Sequence, residues 1–237
     1  MISVTVAPPT HRIVRPERVV EELGSACDDD AMRLLARIVD RASSAARSYC
    51  NRDFAEQRVT EILPGQGGTR LILSLAPIVQ VHSVAFDGMP VTDFEIEDRK
   101  AGFLYRRSGW RWTSPATAGQ WYGGEVTEPG PVPGEELPLY SVDYTAGFVL
   151  PTFPSGYVKN ANSQDLPDDL EGAVAMLAKD SWHQRAAKPA GVVSSIATTG
   201  ISVTRRASGD SMAQTRDPST GFPLSALSVL DRYQFIK

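Results

Sequence analysis

The run Asp28–Phe54, DDDAMRLLARIVDRASSAARSYCNRDF, constrains this chain more than any other stretch. Met32, Leu35, Val39, Ala42, Ala46 and Tyr49 recur at alternating steps of three and four, and Leu34, Ile38 and Ala45 widen the stripe. That spacing predicts an amphipathic helix with one buried face. Asp28, Asp29 and Asp30 stand where a helix N-terminus favours carboxylates, and Arg47 and Arg52 lie near the end that favours cations. The small residues Ser43–Ala46 let another backbone come close. Nothing on this helix has a catalytic pattern. It reads as a strut.

The rest of the chain divides around it into an α+β architecture, a helical bundle (long helix, second helix, short C-terminal helix) with a β-rich lobe. Residues 1–27 read as an extended, proline-broken arm (Met1–Pro16) and a short helix over Pro16–Leu23, with Gly24 just past its end. The long helix occupies 28–56, and 57–149 form the β-rich lobe. There Gln57–Leu63 alternates as a strand, PGQGG (Pro64–Gly68) turns, and Leu71, Leu73 and Leu75 point one way. Pro77 calls for an edge, bend or bulge. Ile78–Phe86 is a strand closed by Asp87-Gly88, a two-residue hairpin signal, with Val91–Glu97 as the return strand. Tyr140, Val142 and Tyr144 alternate with Ser141, Asp143 and Thr145 in the clearest strand of the sequence, Leu139–Phe148. Between them Ala101–Leu137 is an aromatic, proline- and glycine-rich insert.

Residues 150–237 hold a linker, a second helix from Pro167, a polar segment and a terminal helix. Leu170, Val174, Leu177, Ala178 and Trp182 form the second helix's stripe, and Arg185, Lys188 and Pro189 mark its end. Gly191–Gly221 has too little apolar content for a core and is expected to order against a partner. Val192–Ile196 and Ile201–Thr204 are its candidate hairpin. Leu224, Leu227, Leu230 and Tyr233, followed by Phe235, make an apolar stripe on a short terminal helix, a candidate docking element.

A formal net charge of −4 argues against a sequence-reading nucleic-acid binder. Cys27 and Cys50 suit neither a zinc site nor a disulfide framework and read as reduced thiols, Cys50 half-buried. No stretch has the length of a membrane span, the N-terminus lacks a signal-peptide layout, and the expectation is a cytoplasmic protein. His11, His82 and His183 lack metal-ligand spacing or a triad order, so no metal, cofactor or catalytic residue is expected. Gly65–Gly68 with Thr69 lacks the lysine–hydroxyl pair of a phosphate loop. Asp28–Asp30 and Asp168–Asp169 sit at helix starts, where capping accounts for them.

Two constellations stay open. Trp110, Trp112, Trp121 and Tyr122, beside Arg107 and Arg111, can pack under a loop, make a subunit contact, or stack on a sugar or base in a carbohydrate- or surface-binding module. Arg205, Arg206 and Arg216, on the polar segment, can touch phosphates or remain solvated.

Four stretches, in order and spacing, resemble the head–tail connector (adaptor) family of tailed bacteriophages and related gene-transfer particles: SYCNRDF (Ser48–Phe54), LILSLAPIVQVHSVAFDG (Leu71–Gly88), VDYTAGF (Val142–Phe148) and LPDDLEGAVAMLAKDSWHQR (Leu166–Arg185). The resemblance spans about Pro16 to Lys237. It implies a structural virion protein without enzymatic activity, a subunit of a dodecameric ring beneath the portal. Such a ring prolongs the channel for double-stranded DNA and carries the stopper or tail-completion protein. It further implies a place at the virion neck, a lumen- or partner-side position for Arg205, Arg206 and Arg216, and portal docking through Leu224–Phe235.

Overall fold

A computed structural model describes residues 1–24, 27–111, 113, 139–186, 197–198, 201–202, 216–217 and 219–234. The chain falls into two compact units, a β unit of Met1–Thr10, Asp53–Val149 and Phe153–Asp165, and a helical unit of His11–Arg52, Leu150–Thr152 and Leu166–Lys237. The class is α+β.

In the β unit, strands β1 (Ile2–Val6), β2 (Gln57–Leu63), β4 (Ile78–Phe86), β5 (Met89–Pro90) and β8 (Tyr140–Ala146) form one sheet in the order β1-β2-β8-β4-β5. A second sheet has the order β3-β7-β6, from β3 (Arg70–Ile72), β7 (Phe103–Tyr105) and β6 (Glu95–Asp98). A short parallel pair joins β9 (Phe148–Val149) to β10 (Gln164–Asp165). β8 lies at the centre, paired antiparallel with β2 along one edge and with β4 along the other. Tyr140, Val142 and Tyr144 are buried, whereas Asp143 turns outward to Arg58 at 3.0 Å. The core gathers Val59, Leu71, Leu73, Leu75, Ile78, Leu104 and Trp110 against those tyrosines.

Asp87 and Gly88, both at positive φ (49° and 76°), make the expected tight turn. The return strand differs from the expectation. Met89–Pro90 pairs with β4, the Val91 N–H still donates to the Val84 carbonyl at 2.8 Å, and Glu95–Asp98 then crosses into the second sheet. Phe94 and Ile96 still pack on the core. The N-terminal arm also differs. Ile2–Val6 is an edge strand on β2, and Ile13 and Val14 are fully buried in the helical unit, so the stretch is split between two cores.

The helical unit contains α1 (Pro16–Leu23), α2 (Asp29–Cys50), α3 (Asp168–Ala186) and α4 (Leu224–Leu230), the last followed by a 3-10 turn over Asp231–Tyr233. The α2 boundaries follow from side-chain chemistry. Asp28 Oδ1 accepts the Ala31 N–H at 2.7 Å, and Asn51 adopts the left-handed conformation (φ 50°) that closes the other end. Leu35, Ile38, Val39, Ala42, Ser43, Ala46 and Cys50 face the core. Cys50 is fully buried rather than half-buried. In α3 the buried set is wider than one stripe, adding Glu171, Ala173 and Ala175 to Leu170, Val174, Leu177 and Ala178. This helix packs against α1, α2 and α4, so its buried face is broad between Leu170 and Ala178, while Ser181, His183, Gln184 and Arg185 beyond it are exposed. The two short strands β11 (Ala197–Thr198) and β12 (Ile201–Ser202) pair antiparallel, and Val192–Ile196 lies outside the described residues.

Candidate functional site

The candidate site is the C-terminal surface of the helical unit, where the terminal stripe meets α2 and α3. Arg216 is ion-paired to Asp180 of α3. Asp217 then organises a turn, accepting the Thr220 N–H at 2.8 Å and the Thr220 hydroxyl at 2.7 Å. Hydrogen bonds from Ser219 and Thr220 hold the Asp217 carboxyl below the usual carboxylate range. The turn delivers Phe222 to the ring of Tyr49, centroids 6.0 Å apart, and Pro223 starts α4.

Past α4 the chain is fastened again. Tyr49 donates to Asp231, a bond that pushes the Tyr49 hydroxyl up to about 12. Tyr233 donates to Asp169 at 2.7 Å, and burial with that bond pushes it up to about 12 as well. Cys50 Sγ lies 3.5 Å from the Leu230 carbonyl, and burial raises its thiol to about 11. That thiol stays protonated and unreactive at neutral pH.

The stripe predicted from sequence is thereby divided. Leu227 and Leu230 are buried among α2, α3 and α4, whereas Leu224 stays 48% exposed. Removal of Leu224–Lys237 is therefore expected to uncover the helical core. Met176 of α3 is 45% exposed, and the Ser225 hydroxyl lies 3.8 Å from its sulfur. Among the described residues, Leu224 and Met176 are the large apolar side chains exposed on this surface. Phe235, Arg205 and Arg206 lie outside the described residues. Arg216 is committed to Asp180.

The aromatic cluster separates too. Trp110 is 1% exposed, its Nε1 donates to the Thr69 carbonyl at 3.1 Å, and it stands edge-on to Tyr140 at 5.1 Å. It is a core residue of the β unit, with no face for a ligand. Trp112, Trp121 and Tyr122 lie outside the described residues. The glycine-rich turn packs tightly on this region. A Cβ on Gly65 would sit 1.8 Å from the Arg111 carbonyl, and Gly65 N–H donates to Thr113 Oγ1 at 2.7 Å.

Besides Glu56, which accepts the Tyr157 hydroxyl at 3.1 Å, two further buried carboxylates were not singled out from the sequence. Glu61 is 1% exposed and accepts the Ser74 N–H at 3.0 Å, the Tyr144 hydroxyl at 2.7 Å and the Ser74 hydroxyl. The signal was the parity of β2, which puts Glu61 on the same side as Val59. Glu171 pairs with Arg18 at 2.5 Å, and burial raises its carboxyl despite that partner. Both join elements together and neither lies in an open cleft. His82 is exposed and 2.8 Å from Thr145 Oγ1, and His183 is exposed near the end of α3. Among the described residues no group of three His, Cys, Asp or Glu is placed to hold a metal, and no helix is long and apolar enough to cross a membrane.

No family model matches the sequence, and no curated protein matches it. Solved structures do share the fold. A chain from the neck of an empty gene transfer agent (GTA) particle, computed with C6 symmetry, superposes with a TM-score of 0.53 at 15% identity, over 100% of this chain and 96% of that one. A chain from the virion of a native GTA particle gives 0.52 at 14% identity with the same coverage. At such identities the likeness is one of fold.

Proposed function

We propose that this protein is a structural neck component of a phage-like particle, a connector (adaptor) subunit acting as a ring beneath the portal. The observation that carries the reading is the end-to-end fold likeness to chains of GTA necks and virions, covering 100% of this protein and 96% of the neck chain. Both units take part, so the likeness is not that of one common subdomain.

In this reading the subunits form a dodecameric ring through heterologous contacts that close on themselves. The ring extends the channel for double-stranded DNA and receives the stopper or tail-completion protein. A net charge of −4 suits a passage through which DNA slides without adhering. The surface with Leu224 and Met176 meets the portal, together with Phe235. Arg205 and Arg206 belong to the lumen- or partner-side segment. The protein acts mechanically, without turnover of a substrate, at the neck of a particle assembled in the bacterial cytoplasm.

Electron microscopy of the protein mixed with portal rings tests this directly. The expected class averages show portal extended by a second ring of this chain, lost on Leu224→Asp and Met176→Asp together. Particles that keep their genome and gain tails without the protein would overturn it.

A further inference from the structure

The edges of the β unit are not treated alike. β5 is two residues long and ends in Pro90, which cannot donate to another strand. β6 carries Glu95, Glu97 and Asp98, and β3 begins with Arg70, so copies of either edge would bring like charges together. β1, with the sequence ISVTV, has no charge and no proline. All five of its residues are exposed, Ile2 at 41%, Val4 at 51% and Val6 at 55%. On one side it pairs with β2, and on the other it has no strand neighbour among the described residues.

The orientation of its free groups follows from the ladder. The Met1 amino group donates to the Ile62 carbonyl at 2.9 Å, and the Ile62 N–H donates to the Met1 carbonyl at 2.8 Å. Met1 thus turns its polar groups to β2. By alternation Ser3 does the same, and Ile2 and Val4 present their N–H and C=O groups to the open edge. The ladder shifts register between Val4 and Val6, which ends the regular edge there.

We propose that this edge pairs with the same edge of a second copy, antiparallel and centred on Ser3, to make a two-fold dimer of the free protein. In that register Ile2 of each copy faces Val4 of the other. Each such pair exchanges two backbone hydrogen bonds, so every outward group of Ile2 and Val4 is used. The four β-branched side chains gather on one face of a continuous sheet, and Ser3 meets Ser3 on the other. No charge opposes the contact. The partner is a second copy because this short segment is its own complement: apolar lies opposite apolar and hydroxyl opposite hydroxyl. The contact is isologous and stops at two copies, and it stands whether or not the neck reading holds.

So small a contact gives a weak dimer, populated at about 100 μM and dissociated near 1 μM, since stable pairs bury a much larger area. Sedimentation of the untagged chain measures this. Val4→Pro removes one outward N–H at a position where an edge strand tolerates proline, so it sediments as a monomer with an unchanged melting point. Val4→Lys, which keeps the N–H and adds a repelling charge, is the second monomeric variant. The register is tested by trapping in a Cys27→Ser background. Facing Ser3 Cα atoms stand about 4.5 Å apart in a pair of this kind, within reach of a disulfide, whereas Thr5 of one copy is offset by about four residues from Thr5 of the other. Ser3→Cys is therefore expected to cross-link at least about tenfold more completely than Thr5→Cys. A monomer at 100 μM, or equal trapping at the two positions, overturns the proposal.

Discussion

The β unit and the helical unit bury comparable apolar side chains by different geometry. In β8 every second residue is inside, and the strand has one wet and one dry face. In α3 the buried residues between Leu170 and Ala178 form a face wider than one stripe, because α1, α2 and α4 all lean on it. Each unit also buries a carboxylate. Glu61 is held by neutral donors, from Ser74 and Tyr144, whereas Glu171 is held by the Arg18 guanidinium. An element covered on one face shows its period, and an element enclosed from several sides loses it. The same enclosure decides how much damage a substitution does.

The sharpest test of the contrast is charge placed in a core. Leu35→Asp puts an unpaired carboxylate at a fully buried site of α2 and is expected to cost about 4 kcal/mol or more, unfolding the helical unit. Loss of helical circular dichroism at room temperature would register it, and a normally melting variant would show that this face is not core. On the terminal helix, Leu230→Ala is expected to destabilise by about 2–5 kcal/mol as a cavity opens beneath α4. Leu224→Ala should stay within about 0.5 kcal/mol, as exposed sites do. Urea titrations giving equal losses for the two would erase the division between core and surface drawn along α4.

In the β unit, Tyr144→Phe removes the hydroxyl shared by Glu61 and the Leu75 N–H, with an expected cost of about 1–3 kcal/mol. Thermal melts would read a cost near zero as a sign that water replaces the hydroxyl. The smallest effect lies on the outer face of β8. The Arg58 hydrogen bonds hold the Asp143 carboxyl below its ordinary value of 3.8. The stability it contributes is fully present above 3.8 and is lost as pH falls through its lowered value. Asp143→Asn should flatten the acid limb of the stability profile and leave the limb near neutrality unchanged in slope. An unaltered acid limb would mean that solvent screens this half-exposed pair completely.

Much of the fold was legible because several elements have a single buried side. The bounds of α1 and α2 follow from Pro16, Gly24, Asp28 and the stripe from Leu35 to Cys50. The β4 turn follows from Asp87-Gly88, and β8 from its strict alternation. The site was legible only in part. Leu224, Leu227 and Leu230 share a helical stripe in the sequence, yet two of them serve the core and one the surface. Trp110, beside Arg111, left packing and stacking both open in the sequence, and it packs against Tyr140. Composition reports that a side chain is apolar and leaves open which body covers it.

The chain by itself determined where α1, α2 and β8 lie, which face of α2 and of β8 is apolar, and that the class is α+β. Local backbone chemistry and side-chain period suffice for that. Only the tertiary structure decided that Ile2–Val6 is a sheet edge, that α3 is enclosed, and that Glu61 lies among hydroxyls inside a core. Those outcomes depend on residues far apart in sequence meeting in space, as Thr5 meets Thr60, 55 positions on, and Arg18 meets Glu171, 153 positions on. No pattern within one segment encodes which distant segment will cover it.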